Sequence, residues 1–321
     1  MDAIRFPALT PAALLPSVPA WAAGTEAVTD EAQAAFIAGA ALTCLDLIIR
    51  SQPAWAGAWR HRLALKCAAA AARIAGRRED EAALRDLWAL RKPSGEVFQL
   101  GPGGGFLQAW RHLAATPPEI GAERLPDVAE LLGIRWGADL AALTDRIATL
   151  AAEERGAPFA AAAIMAEIHA LRSDAGPLGW WLADLLVARC LGWPRAVPLL
   201  AAQMHSSAFR AGAPRRQWIR PGAEGFARAV CLGLAQGAAD ACRLGAEMAR
   251  RAERLAAVAP KLRARGAGDA VRMLLEDDSV SGSLKTAKLS RFAARRLFER
   301  LSAFGAVREL SGRPTFRIYG L

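Results

Sequence analysis

The residues whose types and spacing agree on one chemistry lie in the last fifty or so positions of this 321-residue chain. Between Lys285 and Leu321, Lys285, Lys288, Arg291, Arg295, Arg296, Arg300, Arg308, Arg313 and Arg317 stand against Glu299 and Glu309. Nine basic groups against two acidic ones leave an excess of seven, most of the chain's formal net charge of +10. Guanidinium and ammonium groups bond phosphate oxygens, and arginine also reads guanine edges in a duplex groove. A basic bias alone fits nucleic acid, an anionic membrane or a solvated face equally well. The elements that carry the charges decide between them.

Ser290 precedes the run RFAARRLFERLSAF, which ends at Gly305. A serine oxygen can accept a free backbone N–H at a helix start, and glycine tolerates a left-handed exit, so the run is expected to be a helix. On a 100-degree wheel Ala293, Ala294, Leu297, Leu301 and Phe304 share a core face, Arg291, Arg295 and Glu299 lie roughly opposite, and Arg296 flanks them. After Gly305 the segments AVREL and TFRIY read as two short strands around a glycine-containing turn, with Phe316 and Ile318 on one side and Thr315, Arg317 and Tyr319 on the other. Upstream, Ala270 to Leu275 forms one short expected helix and Ser283 to Lys288 a second, weaker one. Three helices followed by a hairpin describe a winged helix-turn-helix. In that fold the third helix enters the major groove and the wing holds the backbone or the minor groove. The DNA-binding residues expected on this reading are Arg291, Arg295 and Arg296 on the helix, Lys285 and Lys288 before it, and Arg308, Arg313 and Arg317 on the hairpin.

This tail resembles the winged-helix domains of bacterial regulators, whose third helix often has a Ser-Arg start and an Arg-Arg-Ala-Leu-like centre. Ser290, Arg291, Arg295, Arg296, Leu297 and Phe298 match those places. It is similar also to the winged helix at the carboxyl end of many Fic-family proteins, where a Gly-hydrophobic-x-Glu pattern, a Thr/Ser-Gly-Arg turn and a final Arg-x-Tyr recur. Gly305, Val307, Glu309, Gly312, Arg313, Arg317 and Tyr319 fill them. The segment SGSLKTAKLS departs from the pattern: Leu284 and Leu289 sit near the expected apolar positions without the usual Leu-Ala and Leu-Gly pairs. The Fic catalytic signatures His-Pro-Phe and Gly-Asn-Gly-Arg do not occur, so the resemblance implies DNA binding and no nucleotidyl transfer. Over nearly its full length, including the WWLAD and GWP segments, the chain resembles a bacterial family classified only as domain of unknown function 1403.

The remainder reads as a helical domain to which the sequence assigns no role. Hydrophobic residues make up 53% of the chain and aromatics only 7%, and the abundance of alanine favours closely packed helices. The fold class expected is mainly α: an alanine-rich multi-helix domain over residues 1–265, with residues 1–28 as an extended proline-rich arm, then the winged helix over 266–321. KLRARGAG is the expected linker. Helices are expected from Glu31 with Phe36, Ile37, Ala40, Ala41, Leu45 and Ile48 on a common face, after Pro53, from Glu81 to Leu90, across Pro126 to Leu171 with breaks at the glycines, and from Gly222 to Pro260. Trp180, Trp181, Leu185, Leu186 and Trp193 are expected in the core.

Other chemistry is weakly signalled. EVFQL, GPGGG and FLQAWRHLA read as strand, glycine loop and helix, a layout that can cradle phosphate. Gly101 to Gly105 lack both the Walker lysine-serine pair and the G-x-G-x-x-G spacing, so an ordinary loop is expected. The four histidines stand apart, no C-x-x-C pair occurs among five cysteines, and no catalytic motif is present. Neither a metal, a cofactor nor an enzyme activity is therefore expected. Arg215, Arg216, Trp218 and Arg220 form a basic-aromatic loop better read as solvated. Pro7, Pro11, Pro16 and Pro19 break the apolar amino-terminal stretch, so a cytoplasmic protein without a membrane span is expected. The partners expected are double-stranded DNA, with a protein partner or a homodimer beside it. The rival reading makes the winged helix a protein-docking adaptor without catalysis.

Overall fold

Alanine gives up little side-chain entropy on entering a helix and lets helix axes approach closely. The computed structural model describes residues 11–24, 28–91, 100–119, 121–153, 155–211, 217–262, 265–313 and 316–321. Thirteen α-helices lie among them. They are α1 (Ala20–Ala23), α2 (Glu31–Ser51), α3 (Ala56–Ile74), α4 (Glu81–Leu90), α5 (Gly101–Ala115), α6 (Arg124–Leu131), α7 (Leu143–Ala152), α8 (Ala157–Leu171), α9 (Gly176–Cys190), α10 (Leu200–Gln203), α11 (Phe226–Val258), α12 (Ala267–Glu276) and α13 (Arg291–Ala303). The strands are β1 (Arg210–Ala211), β2 (Gln217–Trp218), β3 (Val280–Ser281), β4 (Arg308–Glu309) and β5 (Ile318–Gly320).

Helix α11, 33 residues long, is the axis of the helical part. It packs along α2 and against α8, while α8 pairs with α9 and α3 with α5. Several starts follow the sequence signals: Asp30 accepts from the Gln33 amide at 2.8 Å, and Asp80 from Ala83 at 2.8 Å. Trp180, Trp181, Leu185, Leu186 and Trp193 are all buried, as expected. Three buried indoles find carbonyl or carboxylate partners, Trp59 donating to Ala241 O, Trp181 to Ala109 O and Trp193 to Asp46, each at 2.9 Å, whereas the Trp55 and Trp110 indoles are buried without one among the described residues. Asp184, fully buried, accepts from the amides of Leu199 and Leu200 at 3.0 and 3.1 Å at the start of α10, and burial pushes its carboxyl up to about 7.

Three expectations for the helical part are corrected. Phe36 is 67% exposed and stacks on Trp21 at 5.5 Å, because α2 turns Ala34, Ile37, Ala38 and Ala41 inward instead. Gly101 to Gly105 form no loop but the first turn of α5, whose chain passes so close to the Leu131 carbonyl of α6 that a Cβ at Gly105 has no room. Glycine at 105 permits this close helix contact. Helix α2 is also long and apolar enough by composition to cross a membrane, against the expectation that no segment is. In the fold its inner face lies on α11. The strand expected at EVFQL, apart from Leu100, and the residues Arg215 and Arg216 lie outside the described residues.

The carboxyl-terminal residues run α12, β3, a turn-rich segment, α13, β4 and β5, and the sheet order is β3-β5-β4, all antiparallel. Val280 pairs with Tyr319, and Glu309 with the same residue from the other side. The first helix and α13 are where the sequence placed them. The helix expected over Ser283 to Lys288 is absent. Thr286 explains this: its amide and that of Leu289 bond each other's carbonyls at 3.0 and 3.4 Å, and its hydroxyl donates to Asp269 of α12 at 3.1 Å while accepting from the Lys288 amide at 3.2 Å. A threonine side chain bonding nearby backbone offers the chain a turn in place of a helix.

The end of α12 is joined to the helical part by charge. Arg62 of α3 is 6% exposed and Asp278 3%, and the Arg62 guanidinium bonds the Asp278 carboxylate, its carbonyl at 3.0 Å and the Leu321 carbonyl at 3.4 Å. Arg85 of α4 donates to the other Asp278 oxygen at 2.9 Å. Burial alone would raise the Asp278 carboxyl, but the two guanidiniums outweigh it and hold it below the usual carboxylate range. Next to it, Arg111 of α5 donates to Asp277 at 2.8 Å and meets His61 Nδ1 at 3.1 Å. Close backbone contact accompanies the charges, for a Cβ at Gly57 of α3 would come within 2.6 Å of the Glu276 carbonyl.

Two outcomes follow from this cluster. Asp278→Ala leaves Arg62 buried without its partner and lowers the unfolding free energy by about 3–5 kcal/mol. A urea titration read by tryptophan fluorescence measures it, and a loss below about 1 kcal/mol would contradict a buried pair. Burial first, and then Arg111, lower the His61 imidazole to about 4, so it stays neutral and accepts from Arg111. Unfolded histidine titrates near ~6.5. Between those values the unfolded chain takes up a proton that the folded chain refuses, so stability falls as pH drops through that window. His61→Gln flattens the dependence there, and an unaltered slope would show that another group causes it.

Candidate nucleic-acid interface

Helix α13 is set by its own sequence. Ser290 Oγ accepts from the Ala293 amide at 3.3 Å, and Gly305 leaves the helix with a φ of 64°. Ala294, Leu297, Phe298 and Leu301 form its buried face, and the Phe298 ring stacks on Tyr319 of β5 at 4.9 Å with only 6° between the planes. This turns the helix from the expected wheel: Phe304 is partly exposed, and Phe298 takes the core position. Alternation along the hairpin fails for the same reason. Tyr319, expected beside Arg317 on the outer side, is buried, because β5 is the central strand and is covered by α13.

The rotation puts Phe292 outward, 84% exposed, among cationic side chains. Arg291, Arg295 and Arg296 are exposed on α13, and Lys285 and Lys288 are exposed on the turn-rich segment before it. Arg295 is partly neutralised by Glu299 at 3.2 Å. The hairpin arginines are less free than expected. Arg313 reaches back to Asp86 of α4 at 2.8 Å, so the turn leans on the helical part. Arg308, on the edge strand, lies near enough to Arg251 of α11 to contribute, after burial, to depressing that group. Arg317 stands 3.8 Å from Glu309 and 4.0 Å from Glu299, and the adjoining Tyr319 side chain is the main cause that holds its guanidinium above the ordinary value.

Of the eight expected residues the fold brings three to one cleft. Arg291 and Arg295 border it with Phe292 from α13, and Phe316, Arg317 and Tyr319 face them from the hairpin. The Gly282–Ser283 turn closes one end, and the volume is about 370 Å³. The aromatic residues of the cleft were missed in the sequence, since Phe292 reads as an interruption in a polar face only once Phe298 is known to be inside. Among the described residues no three His, Cys, Asp or Glu side chains gather as a metal-binding group, and all five cysteines are free thiols.

Residues 7–321 match the family described as protein of unknown function (DUF1403), and the chain belongs to that family. Comparison with curated proteins and with solved structures finds no match.

Phe298 and Phe292 should separate cleanly in mutagenesis. Phe298→Ala empties the stack under Tyr319 and costs about 3–5 kcal/mol of stability. Phe292→Ser, at an exposed site, shifts stability by no more than about 0.5 kcal/mol. Thermal melts of both variants test this, and a destabilised Phe292→Ser would mean that its ring packs on the fold.

Proposed function

We propose that this chain binds duplex DNA through its carboxyl-terminal residues, as a regulator or a DNA-associated accessory factor. The observation that carries the reading is the exposed cationic surface of α13 and the segment before it, where Lys285, Lys288, Arg291 and Arg296 stand without a bonded carboxylate among the described residues. The order helix, strand, helix, strand, strand, with β5 between β3 and β4, supports reading these residues as a winged helix with turns in place of the second helix. On this reading α13 enters or flanks the major groove. Arg291, Arg295 and Arg296 bond phosphates or guanine edges, and Lys285 and Lys288 hold the backbone. Arg317 and Arg308 contribute from the hairpin, while Arg313 is available only when it leaves Asp86.

A second reading is favoured by one observation. The Arg313–Asp86 pair makes the basic turn dock on an acidic protein surface already within this chain, as an adaptor module would dock on a partner. Pull-down from a nuclease-treated extract separates the two readings: a partner that survives digestion and competes with DNA supports docking.

The direct test is binding of a labelled duplex at several salt concentrations. Each phosphate contact contributes roughly −0.9 to the slope of log affinity against log salt. Arg291→Ala, Arg295→Ala, Arg296→Ala together should weaken binding at least about tenfold at low salt and flatten the slope by up to roughly three. A triple variant with the wild-type affinity and slope would refute the assignment of α13 as the DNA-facing helix.

A further inference from the structure

The cleft beside α13 has features that an intact duplex does not use. Bases in a paired stack offer only their edges to the grooves, and their ring faces become available where a nucleotide is unpaired. Flat recognition of a ring face needs an exposed aromatic group, and the linked phosphate needs cations at the distance of one nucleotide. Both are present: Phe292 projects 84% exposed at the cleft rim, Phe316 lines the wall, and Arg291, Arg295 and Arg317 surround the opening. A volume of about 370 Å³ falls within the range of small-molecule sites, roughly 300–1,000 Å³. The cleft continues directly into the cationic surface of α13, since Arg291 and Arg295 belong to both.

Placement argues against a merely structural role for the aromatic rim. A phenylalanine at the centre of a solvated, arginine-rich helix face contributes nothing to the buried stripe formed by Ala294, Leu297, Phe298 and Leu301. Phe304, also exposed on the same helix, lies outside the cleft and has Arg300 over its ring at 5.6 Å. It therefore serves as an internal control. Glu299 and Glu309 hold Arg295 and Arg317 in place without saturating three guanidiniums, so the site retains a positive balance suited to one phosphate.

We infer that the cleft between the start of α13 and the β5 hairpin accepts an unpaired nucleotide of a DNA strand, its base against Phe292 and its phosphate among Arg291, Arg295 and Arg317. The inference rests on the DNA-binding reading above and narrows its substrate to duplex with a single-stranded end, gap or extruded base.

The full chain is tested by fluorescence anisotropy on two labelled probes of equal duplex length, one closed by hairpins and one with a three-nucleotide overhang carrying 2-aminopurine. The overhang probe should bind about tenfold more tightly, the scale of one base–aromatic stack, with a change in 2-aminopurine emission. Phe292→Ala should remove the preference while leaving affinity for the closed probe within about twofold, Arg317→Gln should weaken the overhang probe more than the closed one and so remove the preference, and Phe304→Ala should leave both probes unaffected. Equal affinity for the two probes in the wild-type chain overturns the inference and leaves the duplex reading standing. A preference that survives both cleft variants also overturns it, by placing the unpaired base elsewhere. Absence of binding to either probe at low salt removes the inference together with the reading on which it rests.

Discussion

The ion pair between Arg62 and Asp278 is the constraint from which the arrangement of the two parts follows. Both groups are nearly inaccessible to water, and a buried charge is tolerated only when a counter-charge and hydrogen bonds replace its hydration. Arg62 meets this requirement by bonding one Asp278 carboxylate oxygen, the Asp278 carbonyl and the Leu321 carbonyl, and Arg85 occupies the second carboxylate oxygen. One arginine of α3 thus ties the exit of α12 and the end of β5 to the same point. Gly57 approaches Glu276 beside it so closely that a Cβ would meet the Glu276 carbonyl. Such a cluster contributes position more than net stability, since its Coulomb gain is largely offset by desolvation. Here position is what the rest needs: β3 begins two residues after Asp278, and the sheet that backs α13 is built on it.

From that anchor the sheet determines the helix. Strand β5 lies between β3 and β4, and its residues Ile318, Tyr319 and Gly320 are all buried, so Tyr319 cannot face solvent. It presents a ring to α13, and Phe298 stacks on it. Fixing Phe298 inward fixes the rotation of the whole helix, because residues one hundred degrees apart on a wheel move together. Phe292 is carried outward by that rotation, and Arg291 and Arg295 are carried to the cleft edge.

The sequence makes local signals legible and leaves long-range ones hidden. Asp30 and Ser290 announce helix starts because their side-chain bonds span three residues, and the structure has both bonds, with Asp80 making the same bond at the start of α4. The rich alanine and tryptophan segments announce a helical core, and α9 is buried along most of its length. The glycines at 101–105 mislead because their setting is tertiary: Gly105 lies against α6, a different helix brought close by the fold, and Gly103 against the Glu79 side chain. Phe36 misleads because a helical wheel gives a stripe but not which edge of it meets a neighbour, and Trp21 covers it from outside the helix. Nothing in the spacing of Arg62, Arg85, Arg111, Asp277 and Asp278 foretells their meeting, since the partners are more than 160 positions apart. The alternation expected for the hairpin assumes one solvated face, which a central strand under a helix does not have.

Net charge, finally, is a poor measure of the cations available for binding, and the distribution of carboxylates corrects it. Asp277 and Asp278 are taken up by Arg111, Arg62 and Arg85 of the helical part, and Asp86 takes Arg313 from the hairpin. Glu299 and Glu309 stand beside Arg295 and Arg317. These acids lie where the two parts meet and beside the cleft, whereas Lys285, Lys288, Arg291 and Arg296, on α13 and the segment before it, have no bonded carboxylate among the described residues. Arginine at the junction is bound by fixed, desolvated partners and is insensitive to salt, whereas exposed lysine and arginine on α13 exchange counterions freely. The same residue type therefore does two jobs in this chain. Those on α3, α4 and α5 hold the carboxyl-terminal residues in place, and those on α13 give that surface its field.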